Sequence, residues 1–184
     1  MNTIRIDTEL PGVFILEPKV FHDKRGYFME VYHETRYNEI GILPRFVQDN
    51  HSRSQKNILR GLHYQLEHAQ DKLISVIRGA IFDVAVDIRR GSPTFGKWIG
   101  VELSCSNNRQ LFVPKGFAHG FCVLSDNVDV LYKCSDYYSP QDEGGVLWND
   151  PDIGIRWPVD DPVLSPKDLA YSRLKDIPAE RLPS

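Results

Sequence analysis

Residues 81–88 read IFDVAVDI, with Phe82, Val84, Val86 and Ile88 on one side of an extended chain and Asp83 and Asp87 on the other. Successive side chains of a strand point to opposite faces, so this alternation marks a strand with two unlike surfaces. Short apolar runs of the same kind recur at residues 12–16, 73–77, 98–103, 111–113, 121–124 and 128–134. Between them lie RGSPTFG, CSNN, PKG and SDN, segments rich in residues that reverse a chain. Many short strands punctuated by turns predict an all-β fold, either an antiparallel sandwich or a closed barrel. Helices are few, short and peripheral: HETRYNEIG predicts one over residues 33–40, closed by Gly41, and SPKDLAYSRLKDI another over about residues 165–177.

At 184 residues the chain falls in the range of one domain, residues 1–184, large enough to need neither disulfides nor a metal for stability. No repeat of solenoid length and no linker divides it. Its 22 basic and 25 acidic residues leave a net charge of −3, which does not hold a nucleic-acid polymer by counterion release. A phosphorylated small molecule needs only a few convergent Arg or Lys side chains and stays open. No run approaches roughly 18 uninterrupted apolar residues, and the N-terminal MNTIRIDTELPG lacks the apolar core of a signal peptide. No membrane association and a cytoplasmic location are therefore expected. Cys105, Cys122 and Cys134 are odd in number and show no CxxC spacing, and they read as buried or idle thiols. The chain contains neither GxGxxG after a strand nor GxxxxGK[ST], so neither a redox dinucleotide nor ATP is indicated.

Two short motifs carry chemistry. In RGLHYQ, residues 60–65, His63 sits within a strand-like run; by itself this is a packed core imidazole as readily as a base. In PKGFAHGF, Pro114, Gly116 and His119 make a P-x-G-x-x-H pattern that resembles the second motif of cupins, which are jelly-roll (double-stranded β-helix) barrels. A metal-binding cupin also needs an H-x-H pair, and here the corresponding place reads His63-Tyr64-Gln65. With that position changed the metal shell is incomplete, so the expectation is a cupin-type barrel without a metal.

Further segments extend the resemblance along nearly the whole chain. RGYFxE at residues 25–30, FVQDNHS at 46–52, LRGLHYQ at 59–65, DVAVDIRRGSPTFG at 83–96, PKGFAHGF at 114–121, WNDP at 148–151 and LSPKD at 164–168 occur in order. Together they are similar to the dTDP-4-dehydrorhamnose 3,5-epimerase family of rhamnose synthesis. The resemblance implies a homodimeric jelly roll that inverts C3 and C5 of dTDP-4-dehydro-6-deoxy-D-glucose with no metal or other cofactor. Both carbons flank the C4 ketone, so removing either proton leaves an enolate, which needs a base, an acid on the opposite face and a charge or donor at the oxygen. A relative acting at one carbon only, a metal-dependent cupin oxygenase and a barrel that merely binds a sugar nucleotide are the competing readings.

On this resemblance His63 is the base, Asp168 its carboxylate partner, Tyr132 the proton donor and Lys72 the group at the enolate oxygen. Arg25, Arg60, His119 and Lys167 are implied phosphate and sugar contacts, Glu30, Gln48, Asn50 and Glu143 further nucleotide-sugar contacts, and Tyr138 a stacking partner for thymine. Each residue also has a plainer reading. Ser165-Pro166-Lys167-Asp168 fits a helix start with Asp168 at the third position. Tyr132 continues the face of Val128 and Val130 into a barrel interior, where a tyrosine is ordinarily core. Lys72 begins the run KLISVIR and reads equally as a solvated strand end. Asp83, an acid within an apolar strand, is the reserve partner for His63. On a regular strand Arg60 and His63 would face opposite ways, so a bulge at Gly61 is expected to turn both toward one cavity.

Overall fold

A computed structural model describes residues 3–184. Its strands begin with β1 (Ile4–Asp7), β2 (Phe14–Glu17), β3 (Val20–Asp23) and β4 (Gly26–Met29), followed by helix α1 (Glu34–Glu39). Then come β5 (Gln48–Gln55), β6 (Leu59–Gln65), β7 (Lys72–Arg78), β8 (Ala80–Asp87) and β9 (Trp98–Ser104). The series closes with β10 (Gln110–Val113), β11 (Phe117–Val123), β12 (Asn127–Cys134), β13 (Glu143–Gly145) and helix α2 (Pro166–Leu169). One sheet has the order β1-β2-β10-β7-β12-β5, the other β13-β6-β11-β8-β9, and β3 and β4 form a separate hairpin. All these pairings are antiparallel, and the two opposed sheets make the jelly-roll architecture that the sequence predicts.

Apolar side chains from the two sheets meet in the middle. Ile74, Val76, Leu111, Val113, Val128 and Val130 come from one sheet, and Ile81, Ala85, Leu103, Phe117 and Val123 from the other. Each Val, Leu, Ile or Phe side chain among them, once buried, contributes roughly 1.5–3 kcal/mol relative to exposure. Tyr132 packs against this cluster, on the face that its alternation with Val128 and Val130 predicts. The outer face of the five-stranded sheet is covered by the chain after β13: Val84, Val86, Ile88 and Ala118 pack against Val146, Ile153, Leu174 and Leu182. The apolar side of IFDVAVDI therefore points away from the space between the sheets, and Asp83 points into it.

Helix α1 forms as expected, and Gly41 follows it with φ +100°, a conformation glycine adopts without a Cβ penalty. The C-terminal helix is shorter than the sequence suggests. It begins at the expected cap, where Ser165 Oγ accepts from the Asp168 amide at 3.2 Å, but it ends at Leu169, and only 3₁₀ turns follow, at Leu174–Asp176 and Ala179–Arg181. The reason is tertiary. Ser172 O accepts from Leu147 N at 2.9 Å and Leu174 N donates to Asp150 Oδ2 at 2.7 Å, so backbone groups that would continue a helix are taken by distant partners.

Candidate active site

The strand carrying RGLHYQ is interrupted where expected. On β6 and β11, His63 lies opposite His119 and Arg60 opposite Phe121, so Gly61 and Leu62 together face Gly120 alone and β6 bulges. Gly61 has φ +126° and a cis peptide to Leu62. A Cβ on Gly61 would lie 2.6 Å from the Gly120 Cα, so both positions need the absence of a side chain. The bulge aims Arg60 and His63 into one cavity of about 940 Å³ between the sheets.

His63 is held by one carboxylate and lies near a second. Its Nε2 is 2.6 Å from Asp168 Oδ1, and Nδ1 lies 3.9 Å from Glu143 Oε1. Burial pushes the Asp168 carboxyl up, but the bond to His63, with help from Ser165 and the Gly61 amide, outweighs it and holds the group below its usual range. Asp168 thus donates its amide to the Ser165 cap of α2 and grips the imidazole through its carboxylate. A carboxylate on one ring nitrogen fixes the tautomer and leaves the other nitrogen as the basic one. Asp83, the reserve partner, is engaged elsewhere: its Oδ1 is 2.8 Å from His119 Nε2, because β8 pairs with β11 and not with β6. The Asp83 Oδ2 is buried with no partner among the described residues.

Tyr132 and Lys72 line the same cavity from β12 and β7, strands of the six-stranded sheet, whereas His63 belongs to the five-stranded one. Imidazole and phenol therefore stand on opposed walls. Burial raises the Tyr132 pKa, which keeps its proton in place at neutral pH. Burial also lowers the Lys72 pKa, since the charged ammonium loses water, and Lys72 forms no ion pair among the described residues.

Gln48, Asn50, Arg60, His119, Tyr138, Glu143 and Lys167 also line the cavity. Gln48 Nε2 donates to Asn50 Oδ1 at 3.0 Å and Arg60 Nε to Ser54 Oγ at 3.1 Å. At the rim, Glu143 Oε2 accepts from Tyr138 Oη at 2.9 Å and from Lys167 Nζ at 2.7 Å. Arg25 and Glu30 are not brought there within this chain. Arg25 pairs with Asp23 in the protruding β3–β4 hairpin, and Glu30 pairs with Arg36. Among the described residues no three His, Cys, Asp or Glu side chains are grouped to hold a metal, and no helix is long and apolar enough to cross a membrane. Cys122 and Cys134 are buried and Cys105 is exposed.

Several lining residues, and one aromatic neighbour of His63 outside the lining, escaped the sequence reading. Ser52 continues the inward alternation of Gln48 and Asn50 along β5, a signal that was present. Gln65, two residues beyond His63, carries the loop at the rim: its Nε2 donates to His68 O at 2.6 Å and Tyr137 O at 3.2 Å, and its Oε1 accepts from Ser139 N at 2.8 Å. Tyr171 packs edge-on against His63, a contact with no local signature.

Fold and cavity define a jelly-roll protein whose pocket sets a carboxylate-held imidazole and a phenol on facing walls, the pair of groups that proton transfer uses. Residues 7–176 match the family model described as dTDP-4-dehydrorhamnose 3,5-epimerase, and the chain belongs to that family. It is 56% identical over 178 residues to the dTDP-4-dehydrorhamnose 3,5-epimerase of Shigella flexneri, covering 96% of this chain and 97% of the relative. The enzyme of that name from Methanothermobacter thermautotrophicus is 53% identical, with 94% and 95% covered. The crystal structure of dTDP-6-deoxy-D-glucose-3,5-epimerase from Legionella pneumophila in complex with dTDP-4-keto-L-rhamnose superposes with a TM-score of 0.97 at 54% identity, covering 99% of this chain and 98% of that one.

Proposed function

We propose that this protein inverts C3 and C5 of dTDP-4-dehydro-6-deoxy-D-glucose to give dTDP-4-dehydro-L-rhamnose, with no metal or other cofactor, as a single cytoplasmic domain feeding the synthesis of dTDP-L-rhamnose for surface glycans. The observation that carries this reading is the opposition of His63, held by Asp168, and Tyr132 across one cavity. His63 takes the proton next to the ketone on one face, and Tyr132 returns one from the other. A proton returned from the same face would restore the starting configuration, so two walls are required. Lys72 stabilises the enolate oxygen, at which charge develops in the transition state. Arg60, Gln48, Asn50, His119 and Lys167 bind sugar and pyrophosphate, Glu143 orders Tyr138 and Lys167, and Tyr138 stacks on thymine at the rim.

Arg25 and Glu30 enter through a homodimer. Phe28 is 60% and Tyr27 57% exposed on the β3–β4 hairpin, beside an exposed Phe21; an apolar tongue of this kind marks an interaction surface. Seated against a second copy, it carries Arg25 and Glu30 toward the partner's cavity. The reaction is tested by deuterium incorporation from solvent at C3 and C5 of the keto-sugar. Wild type labels both carbons, and His63→Ala labels neither. Tyr132→Phe still exchanges a measurable fraction but yields little epimer. No labelling by wild type leaves a binding protein, and labelling at one carbon a single-carbon epimerase.

A further inference from the structure

We propose that Tyr171, acting from behind the cavity, is a positioning residue for His63, and that Gly145 is glycine to make room for it. The inference rests on the reading of His63 as the base. The Tyr171 and His63 rings are edge-on, with centroids 5.9 Å apart and planes at 70°. Tyr171 is absent from the cavity lining, so this contact leaves the substrate side of the imidazole free. Gly145 on β13 is the residue directly opposite His63 on β6. A Cβ on Gly145 would come within 2.3 Å of the Tyr171 ring carbons. The phenol ring therefore lies in the slot left by the missing side chain, flat against β13 and beside the imidazole.

Tyr171 also follows Asp168 by three residues, so one short segment supplies both supports. Asp168 fixes Nε2 by a hydrogen bond at 2.6 Å, which alone allows the ring to swing about that bond. The aromatic edge blocks the swing. Edge-to-face pairs hold a relative orientation beyond the area they bury, and a base displaced from its attack geometry loses rate steeply. The Tyr171 hydroxyl has no hydrogen-bond partner among the described residues, and burial pushes its pKa up. The ring, not the hydroxyl, does the positioning.

Three variants test this, each assayed for kcat, KM, deuterium exchange at C3 and C5, and melting temperature, beside His63→Ala. Tyr171→Phe should match wild type. Tyr171→Ala should lower kcat and exchange at both carbons roughly three- to tenfold, with KM within about twofold. Gly145→Ala, which leaves Tyr171 intact but evicts its ring, should reproduce that loss. Wild-type kcat in folded Tyr171→Ala overturns the proposal, as does an equal loss in Tyr171→Phe. A loss carried by KM, or one absent from Gly145→Ala, overturns it too. Should Tyr171→Ala not fold, Gly145→Ala and Tyr171→Phe decide alone. Exchange persisting in His63→Ala would instead defeat the reading of His63 as base, a separate failure.

Discussion

Among single residues, Lys72 has the most exposed chemistry. Its ammonium faces the cavity without an ion-pair partner among the described residues, and burial lowers its pKa. Only the protonated form stabilises an enolate, and a lowered pKa means the proton leaves at a lower pH than an ordinary lysine would lose it. Activity should therefore fall on the alkaline side, and Lys72→Arg, which keeps its charge, should move that limb upward. Lys72→Met should reduce kcat by roughly 10²–10³, as for loss of one oxyanion donor, with KM changed far less. A pH–rate profile of the three proteins checks this, and an unchanged kcat in Lys72→Met would remove the lysine from the proposed chemistry. Its neighbour on the opposed wall, His63, was legible as a candidate from six residues of sequence, but whether it was core or base depended on what stood across from it.

At the scale of elements, the β6 bulge and the β8–β9 turn invite opposite tests. Gly61→Ala places a Cβ 2.6 Å from the Gly120 Cα in a backbone with φ +126°. Such strain and overpacking cost about 2–4 kcal/mol, equivalent to a melting point lower by roughly 5–15 °C for a chain of this size. The same change should cut activity, since Arg60 and His63 share the bulge. A variant of wild-type stability and activity would mean that the bulge tolerates a side chain. At the end of β8, burial pushes the Asp87 carboxyl up, but bonds from Arg89, Ser92 and Thr94 outweigh it and bring its pKa to about 2. A carboxyl depressed in the folded state contributes stability above its unfolded pKa of about 3.9 and loses it as pH falls toward the folded value. Asp87→Asn should therefore melt below wild type at pH 7, and the gap should close between about pH 4 and pH 2. A gap independent of pH would assign the effect to packing.

For the whole molecule, the hairpin and the cavity should belong to one functional unit spread over two chains. Arg25→Ala and His63→Ala homodimers are each expected to be impaired. Mixed and allowed to exchange subunits, they should recover about a quarter of wild-type activity, because half of the dimers then hold one intact pairing of hairpin and cavity. Phe28→Asp should give a monomer by sedimentation, with KM raised. Full recovery failure with confirmed subunit exchange would keep Arg25 out of the partner's site. Most strands of the core, the capped start of α2 and the bulge at Gly61 were determined by the sequence, because alternation, capping and the conformational range of glycine act over a few neighbouring residues. Tertiary structure decided the rest. The side of IFDVAVDI that faces inward depended on the apolar cover laid over its other face by the chain after β13. The C-terminal helix stopped at Leu169 because Ser172 O and Leu174 N found partners near residue 150. Asp168, 105 residues from His63, took the imidazole while Asp83 took His119; a pairing at that separation follows from which strands lie side by side, and no local rule encodes it.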